Sequence, residues 1–132
     1  MPDRAIPVPD ADSQPFWDGA REGHLRIQRC PDCERHVFYP RAVCPTCMSD
    51  RLEWVTASGS GVLYSFTIVH RAAPAGFADD LPYAVGLVDL DEGVRLMATL
   101  DIDGPAIGQR VAVGFRDLGD GVHRPVVHGT TA

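Results

Sequence analysis

The sequence predicts a mainly β protein with a short N-terminal helix, a four-cysteine metal-binding segment and a small five-stranded barrel. The four cysteines fall in two pairs of identical spacing between residues 30 and 47. After residue 58, β-branched and aromatic residues alternate with polar ones, and clusters of turn-forming residues interrupt the pattern. The chain has 132 residues, which is enough for one domain or two very small ones.

The N-terminal part divides into an arm and a helix. The first twelve residues hold three prolines and four charged side chains, which predicts a flexible arm. Ser13 is placed to cap a helix that begins at Pro15, because proline is tolerated in the first helical turn. Such a short helix is not stable alone, so Phe16 and Trp17 on its surface must dock on something. Both the body of this chain and a partner protein are open as docking surfaces.

The cysteines form a C-x2-C-x10-C-x2-C pattern made of Cys30, Cys33, Cys44 and Cys47. Two residues between cysteines let both thiolates of a tight turn point at one ion. Two such turns supply the tetrahedral set of sulfurs that Zn²⁺ accepts. The pattern therefore predicts a zinc ribbon whose ion is structural, since four sulfurs leave no open position. Iron fits the same four sulfurs.

Other uses of this segment are less consistent with the sequence. Two disulfides need an oxidising compartment, and the N-terminus lacks the hydrophobic segment of a secretory signal. A redox-active pair needs a flanking βαβ pattern, whereas the flanks here are predicted strands and turns. His36 lies between the pairs, but four sulfurs make it unnecessary as a ligand. We expect a cytoplasmic protein with reduced thiols.

The second half of the chain predicts a barrel. Strands are expected at residues 62–69, 83–90, 94–100, 110–115 and 125–128. The turn Asp91-Glu92-Gly93 predicts a hairpin. Five strands with one longer connection at 71–82 are typical of the OB type of barrel. We divide the chain into a flexible arm (1–12), the helix with the zinc ribbon (13–57) and the OB-fold (58–132).

Charge and motifs exclude several functions. All 12 cationic residues are arginines, and 18 acidic residues give a net charge of −6. An acidic chain lacks the positive charge that nucleic acids and anionic membranes require. Every cysteine belongs to the metal pattern, the five histidines are scattered, and the paired acids lie in or beside predicted turns. The sequence therefore shows no active site.

Several short motifs occur together in an order that resembles a known family. They are Pro15-Phe16-Trp17, the two Cys-Pro-x-Cys turns, Gly59-x-Gly61-x-x-x-Ser65-x-Thr67-x-Val69, Pro82-Tyr83, Glu92-Gly93-Val94-Arg95 and Ile107-Gly108-x-x-Val111. The chain resembles the domain of unknown function 35 family from about residue 13 to its C-terminus. The resemblance implies a rubredoxin-like zinc ribbon followed by an OB-fold, with the four cysteines as metal ligands. It also implies a non-catalytic subunit of a thiolase, an acyltransferase or a steroid side-chain aldolase, or a part fused to an acyl-CoA hydratase.

An accessory subunit that helps to form an acyl-CoA site needs a docking surface and contacts to the cofactor. Phe16 and Trp17 are candidates for the partner contact, because aromatic residues dominate protein interfaces. Arg71, Arg95 and Arg110 are candidates for the phosphates of coenzyme A, because guanidinium groups present forked donors. Two rival functions are a single-stranded nucleic-acid module, since zinc ribbons and OB-folds both bind single strands, and a self-sufficient enzyme acting on acyl-CoA thioesters.

Overall fold

The computed structural model describes residues 8–71, 81–118 and 122–130. It contains the helix α1 (Gln14–Arg21) and the strands β1 (Arg26–Arg29), β2 (His36–Val37), β3 (Glu53–Thr56), β4 (Ser60–Val69), β5 (Tyr83–Leu90), β6 (Arg95–Asp101), β7 (Arg110–Asp117) and β8 (His123–Gly129). The mainly β architecture with one short helix is confirmed. Residues 1–7 of the expected arm and most of the long connection at 71–82 lie outside the described residues.

The start of α1 differs from the prediction in its capping. Ser13 occupies the N-cap position, but its side chain makes no cap hydrogen bond and instead donates to Asp10 Oδ1 at 2.8 Å. An N-cap side chain accepts from the second or third helical amide, and the second position here is Pro15, which has no N–H. The expected cap is therefore wrong, and a reciprocal bond from the Asp10 amide to Ser13 Oγ, at 3.1 Å, closes the preceding turn.

The ribbon is built on a three-stranded antiparallel sheet in the order β2-β1-β3. β1 pairs along its whole length with β3, whereas β2 contributes only two residues. Beyond the end of β2, the buried side chain of Gln28 makes two hydrogen bonds to the backbone of the following loop. Its Nε2 donates to the Arg41 carbonyl at 2.8 Å, and its Oε1 accepts from the Arg41 amide at 2.7 Å. One amide side chain thus holds the loop between the cysteine pairs against the sheet.

The other five strands form a closed barrel in the order β4-β5-β6-β8-β7. All pairs are antiparallel except β6 with β8, and β7 closes the barrel on the first residues of β4. The OB-like barrel is confirmed. The predicted hairpin joins β5 to β6, and Gly93 supplies its left-handed residue with φ of 93°. Buried side chains from all five strands meet in the barrel core: Leu63, Val88, Leu100, Val111 and Val127.

The hydrophobic core continues from the barrel to the base of the ribbon. Phe16 of α1 and Ile27 of β1 belong to the same cluster as Leu63 and Val88 of the barrel. A second, smaller cluster contains Cys30, Val37 and Cys44, with Cys33 and Leu52 packed against it. The helix and the strands β1 and β3 therefore pack as part of the barrel core, while β2 and the cysteine turns pack in the smaller cluster.

No helix among the described residues is both long and apolar enough to span a bilayer.

Candidate metal centre

Two turns of the same conformation present the cysteines. In the first turn, the Cys30 amide donates to the Arg35 carbonyl and the Glu34 amide donates to the Cys30 carbonyl, both at 2.8 Å. The second turn repeats both bonds at the equivalent positions after Cys44, at 2.8 and 2.9 Å. Glu34 and Met48, which follow the second cysteine of each turn, have φ of 64° and 67°. The two halves of the sequence motif thus fold as matching metal-binding turns.

The four sulfur atoms converge on one point. All Sγ atoms lie within 4.8 Å of one another. Cys30 Sγ lies 3.5 Å from Cys47 Sγ, and Cys33 Sγ lies 3.7 Å from Cys44 Sγ. A tetrahedral ion with sulfurs at about 2.3 Å requires sulfur–sulfur distances of about 3.8 Å. A disulfide requires about 2.05 Å, so the geometry fits a shared metal ion and not the disulfide alternative.

The burial of the ligands indicates a structural role. Cys30 and Cys44 are fully buried, Cys33 is half-buried and Cys47 is exposed. Among the described residues, these four side chains are the complete donor set, and His36 does not join it. Four sulfurs satisfy a tetrahedral ion, so no position is left for a water or a substrate. The four predicted cysteines thus come together as a closed set of sulfurs that suits a structural metal ion.

Backbone amides prepare the sulfurs for a cation. The Cys47 amide, followed by that of Thr46 at 3.4 Å, donates to Cys44 Sγ and lowers the pKa of Cys44 to about 6. The Cys33 amide lowers the pKa of Cys30 in the same way. At Cys47 the Ser49 amide also favours the thiolate, but the neighbouring sulfurs, led by Cys30, outweigh it and raise the pKa to about 12. The backbone amides thus favour the thiolate at Cys44 and Cys30, and a bound cation would be needed for all four sulfurs to be negative together.

An ion pair ties the two turns together on their outer side. Arg51 donates through Nε to Asp32 Oδ2 at 3.2 Å and through Nη2 to Asp32 Oδ1, and the Ser49 hydroxyl donates to the same carboxylate. Arg51 and then Ser49 hold the pKa of Asp32 below its usual range. Asp32 lies inside the first turn and Ser49 just after the second, so the contact fixes their relative position. No local sequence pattern indicates this pairing, because the partners are 19 residues apart.

The helix residues proposed for partner contact pack largely inside the chain. Phe16 is 6% exposed, and its ring meets the rings of Trp17 at 5.0 Å and Phe38 at 5.7 Å between centroids. Trp17 is half-buried at the edge of the same core. The helix therefore docks on this chain through Phe16, which leaves Trp17 with more surface toward the outside. Contact of either residue with a partner protein stays a prediction.

Two of the arginines proposed for coenzyme A already hold carboxylates. Arg95 donates to both oxygens of Asp89, at 2.7 and 3.2 Å, and its guanidinium carbon lies 3.6 Å from the centre of the Tyr64 ring. Arg110 donates through both Nη atoms to Asp91 at 3.0 Å. Each carboxylate raises the pKa of its arginine. A phosphate at either position would have to replace a hydrogen-bonded carboxylate.

The third arginine lies elsewhere. Val62 of β4 is in register with Arg110 of β7. On its other side Val62 is in register with Asp89 of β5, and Asp89 is in register with Arg95 of β6. Arg71 follows the opposite end of β4 and is exposed. Nine residues of extended strand correspond to about 30 Å. The structure brings Arg95 and Arg110 to one region and places Arg71 far from both, and the coenzyme A contact of all three stays a prediction.

Comparison with known proteins places this geometry in a family. Residues 17–53 match the family model described as the ChsH2 rubredoxin-like zinc ribbon domain, and residues 54–116 match the ChsH2 C-terminal OB-fold domain. A chain in the solved structure titled Ltp2-ChsH2(DUF35) aldolase is similar, with a TM-score of 0.83 and 31% identity over 93% of this chain and 98% of that one.

Curated relatives agree with this assignment. A DUF35 domain-containing scaffold protein of Methanocaldococcus jannaschii is 33% identical over 77% of this chain and 75% of its own length. The benzoylsuccinyl-CoA thiolase subunit BbsA of Thauera aromatica is 35% identical over 61% of this chain and 54% of its own length. This chain spans only about a third of two further relatives, both named as hydratase alpha subunits, covering 30% and 33% of them. The chain belongs to the DUF35 family, in which a ChsH2-type zinc ribbon precedes an OB-fold domain.

Proposed function

We propose that this chain is a non-catalytic subunit that binds a thiolase-like acyl-CoA enzyme and helps to form or stabilise its acyl-CoA site. The observation that carries the proposal is the similarity to a chain of the structure titled Ltp2-ChsH2(DUF35) aldolase, which covers 98% of that chain and 93% of this one. A relative named as a thiolase subunit supports the same class of partner. The partner enzyme is a thiolase, an acyltransferase or a steroid side-chain aldolase, and the assembly is hetero-oligomeric.

The chemistry of the described side chains supports an accessory role. All four thiols of the chain belong to the metal centre, so none is left as a nucleophile. His128 lies 3.6 Å from Asp101, but both side chains are about half exposed and lie on the outside of the barrel. A nucleophile, a base and an orienting group within hydrogen-bond reach are the usual mark of covalent catalysis. We therefore assign the bond-making chemistry to the partner enzyme.

The same proposal covers the metal and the location. We propose zinc as the ion, because a closed site of four sulfurs without redox chemistry is its usual structural setting. Iron would give a coloured protein and zinc a colourless one, so an absorption spectrum with elemental analysis separates them. We propose a cytoplasmic location, where thiols remain reduced.

Co-expression with a thiolase-like protein encoded beside this chain tests the function. We expect the two proteins to purify together and the complex, but not this chain alone, to turn over an acyl-CoA. Turnover by the purified chain alone would instead establish the self-sufficient enzyme. A salt-dependent shift of a labelled oligonucleotide, with no co-purification, would favour the nucleic-acid module. Arg95 and Arg110 do not support that module, since both lie against carboxylates.

Trp17 is the proposed anchor for the partner. We expect Trp17→Ala to weaken binding to the partner by about tenfold or more, because truncated aromatic anchors typically have effects of this size. Titration by calorimetry or surface plasmon resonance measures the change. Trp54→Ala is a matched control, since Trp54 is also half-buried against the same core but lies on β3. Equal weakening in both variants, or in neither, would contradict the assignment to Trp17.

Arg71 is the proposed contact for a coenzyme A phosphate that requires no displacement of Asp89 or Asp91. We expect Arg71→Gln to raise the KM of the complex for acyl-CoA several-fold with kcat unchanged. A contact that is equally strong in the bound substrate and in the transition state affects KM alone. We expect Arg95→Gln and Arg110→Gln to change KM less, because these arginines hold Asp89 and Asp91 in the native chain. An unchanged KM in all three variants would remove the arginine contacts from the proposal.

A further inference from the structure

The barrel mouth where β5 begins and β6 ends holds an open cleft of about 540 Å³. Its volume lies in the range of about 300–1,000 Å³ that is usual for small-molecule sites. Val126, which is buried, lines the cleft together with Tyr83 and Ile68. The cleft therefore offers an apolar surface large enough for a small organic molecule.

Two arginines from neighbouring strands line the same cleft. Arg116 of β7 and Arg124 of β8 are directly in register, so their side chains lie side by side on one face of the sheet. Nη1 of Arg124 donates to Thr99 Oγ1 at 3.4 Å, which fixes this side chain against β6. Like charges placed opposite each other in an antiparallel pair are unfavourable. The two guanidinium groups concentrate positive charge at one place, which an anion complements.

Arg116 is only loosely paired with the carboxylate of Asp101. Asp101 Oδ2 lies 3.7 Å from Arg116 Nη2 and 3.6 Å from His128 Nδ1, both beyond hydrogen-bond length. Arg110, at the other end of the same strand, holds Asp91 with two hydrogen bonds of 3.0 Å. The Arg116 guanidinium therefore makes a loose ion pair where Arg110 makes a tight one. A forked guanidinium in that state is suited to a bidentate carboxylate or phosphate.

We propose that this cleft binds an amphipathic anion. The carboxylate or phosphate end lies on Arg116 with Arg124 beside it, and the apolar body lies over Val126 and Tyr83. Asp101, together with Asp103 on the exposed rim, competes with the ligand for the cations and limits its affinity. The site belongs to this chain alone and needs no partner enzyme, so its test is independent of the proposed function.

Octanoate and octyl phosphate, titrated into the purified full-length chain, are suitable probes. Calorimetry measures affinity, and amide chemical shifts in a 15N spectrum locate the site at Leu100, Ile102 and Val126. We expect Arg116→Gln to weaken binding about tenfold, the effect of losing one charge-assisted contact. We expect Asp101→Asn to strengthen binding, since it removes the competing carboxylate while keeping the shape. Arg21→Gln is the matched control, because Arg21 is 57% exposed against 54% for Arg116 and pairs with Asp18.

The two probes and a neutral one distinguish the outcomes. Tighter binding of octyl phosphate assigns a phosphate-terminated ligand, and tighter binding of octanoate assigns a carboxylate. Equal binding of octan-1-ol would overturn the proposal, because the arginines would then play no part. Opposite effects of Arg116→Gln and Asp101→Asn support it, whereas unchanged affinity in both, or no binding of either anion at millimolar concentration, overturns it. Thermal unfolding of each variant verifies that the fold is intact.

Discussion

The Cys44→Ser variant is expected to lose the metal ion and the ordered structure of the cysteine turns while keeping the barrel folded. Cys44 is fully buried, and its sulfur is one of the four that converge. A serine hydroxyl does not replace a thiolate toward zinc. Structural zinc contributes on the order of 10 kcal/mol to the folding of small modules, which is comparable to the whole stability of a typical domain. The ion is therefore the main source of order for a segment with a very small core.

The barrel is expected to survive because the two hydrophobic clusters are separate. The smaller cluster consists of Cys30, Val37 and Cys44, with Cys33 and Leu52 packed against it, and it shares none of these residues with the main core. The base of the ribbon sheet, including Ile27, belongs to the main core and should remain ordered. Metal loss is thus expected to unfold residues from about 30 to 51 and to stop there.

Elemental analysis and a 15N spectrum measure both parts of this result. The native chain should contain one metal ion, and Cys44→Ser or treatment with a strong chelator should remove it. Amide peaks from the cysteine turns should lose dispersion, while those of β4 to β8 keep theirs. Thr46→Ala is the matched control, because its contact with Cys44 Sγ comes from the backbone amide and is retained. Full metal content in Cys44→Ser, or collapse of the barrel peaks with the ribbon peaks, would contradict the assignment.

The parts of the metal centre that sequence reasoning predicts are those set by short spacings. Two residues between Cys30 and Cys33 suffice to form the turn, since its hydrogen bonds join residues no more than five apart. The strands of the barrel are predictable for a similar reason, because alternation along each strand places its side chains inside or outside. Both features depend on neighbours in the chain.

Contacts that depend on how distant strands meet could not be predicted. The pairing of Asp32 with Arg51 and that of Asp91 with Arg110 each join residues 19 positions apart. The distance between Arg71 and Arg110 becomes apparent only when β7 closes the barrel on the opposite end of β4. The sequence gives the charge of each arginine, but it does not indicate which carboxylate pairs with that arginine in the fold.

The burial of Phe16 also depends on tertiary packing. Its helix is too short to form alone, so the sequence leaves open whether the ring packs on this chain or on another protein. In the structure the helix contacts β1 of the ribbon and both β7 and β8 of the barrel. Phe16 therefore joins the two parts of the chain through one side chain.

Phe16→Ala is expected to destabilise the whole protein. The ring is 6% exposed and belongs to the cluster that contains Ile27 and Leu63, so its removal leaves a cavity between ribbon and barrel. Truncation of a buried phenylalanine typically costs about 3–5 kcal/mol, and about 3–5 °C of Tm is lost for each kcal/mol in a chain of this size. We therefore expect Tm to fall by about 10–20 °C in a calorimetric or circular dichroism melt of the metal-loaded protein.

Comparison with an exposed aromatic residue separates this structural effect from a role in partner binding. Tyr64→Ala is the control, because Tyr64 is 50% exposed on the barrel and its removal leaves no buried cavity. If Phe16 acts through packing, Phe16→Ala lowers Tm far more than Tyr64→Ala, and its folded fraction binds the partner enzyme with nearly native affinity. An unchanged Tm with lost partner binding would instead mean that the ring is held for the partner, which is the reverse of what its burial predicts. Phe16→Leu, which keeps most of the apolar volume, should recover most of the lost stability in the first case and little of the lost affinity in the second.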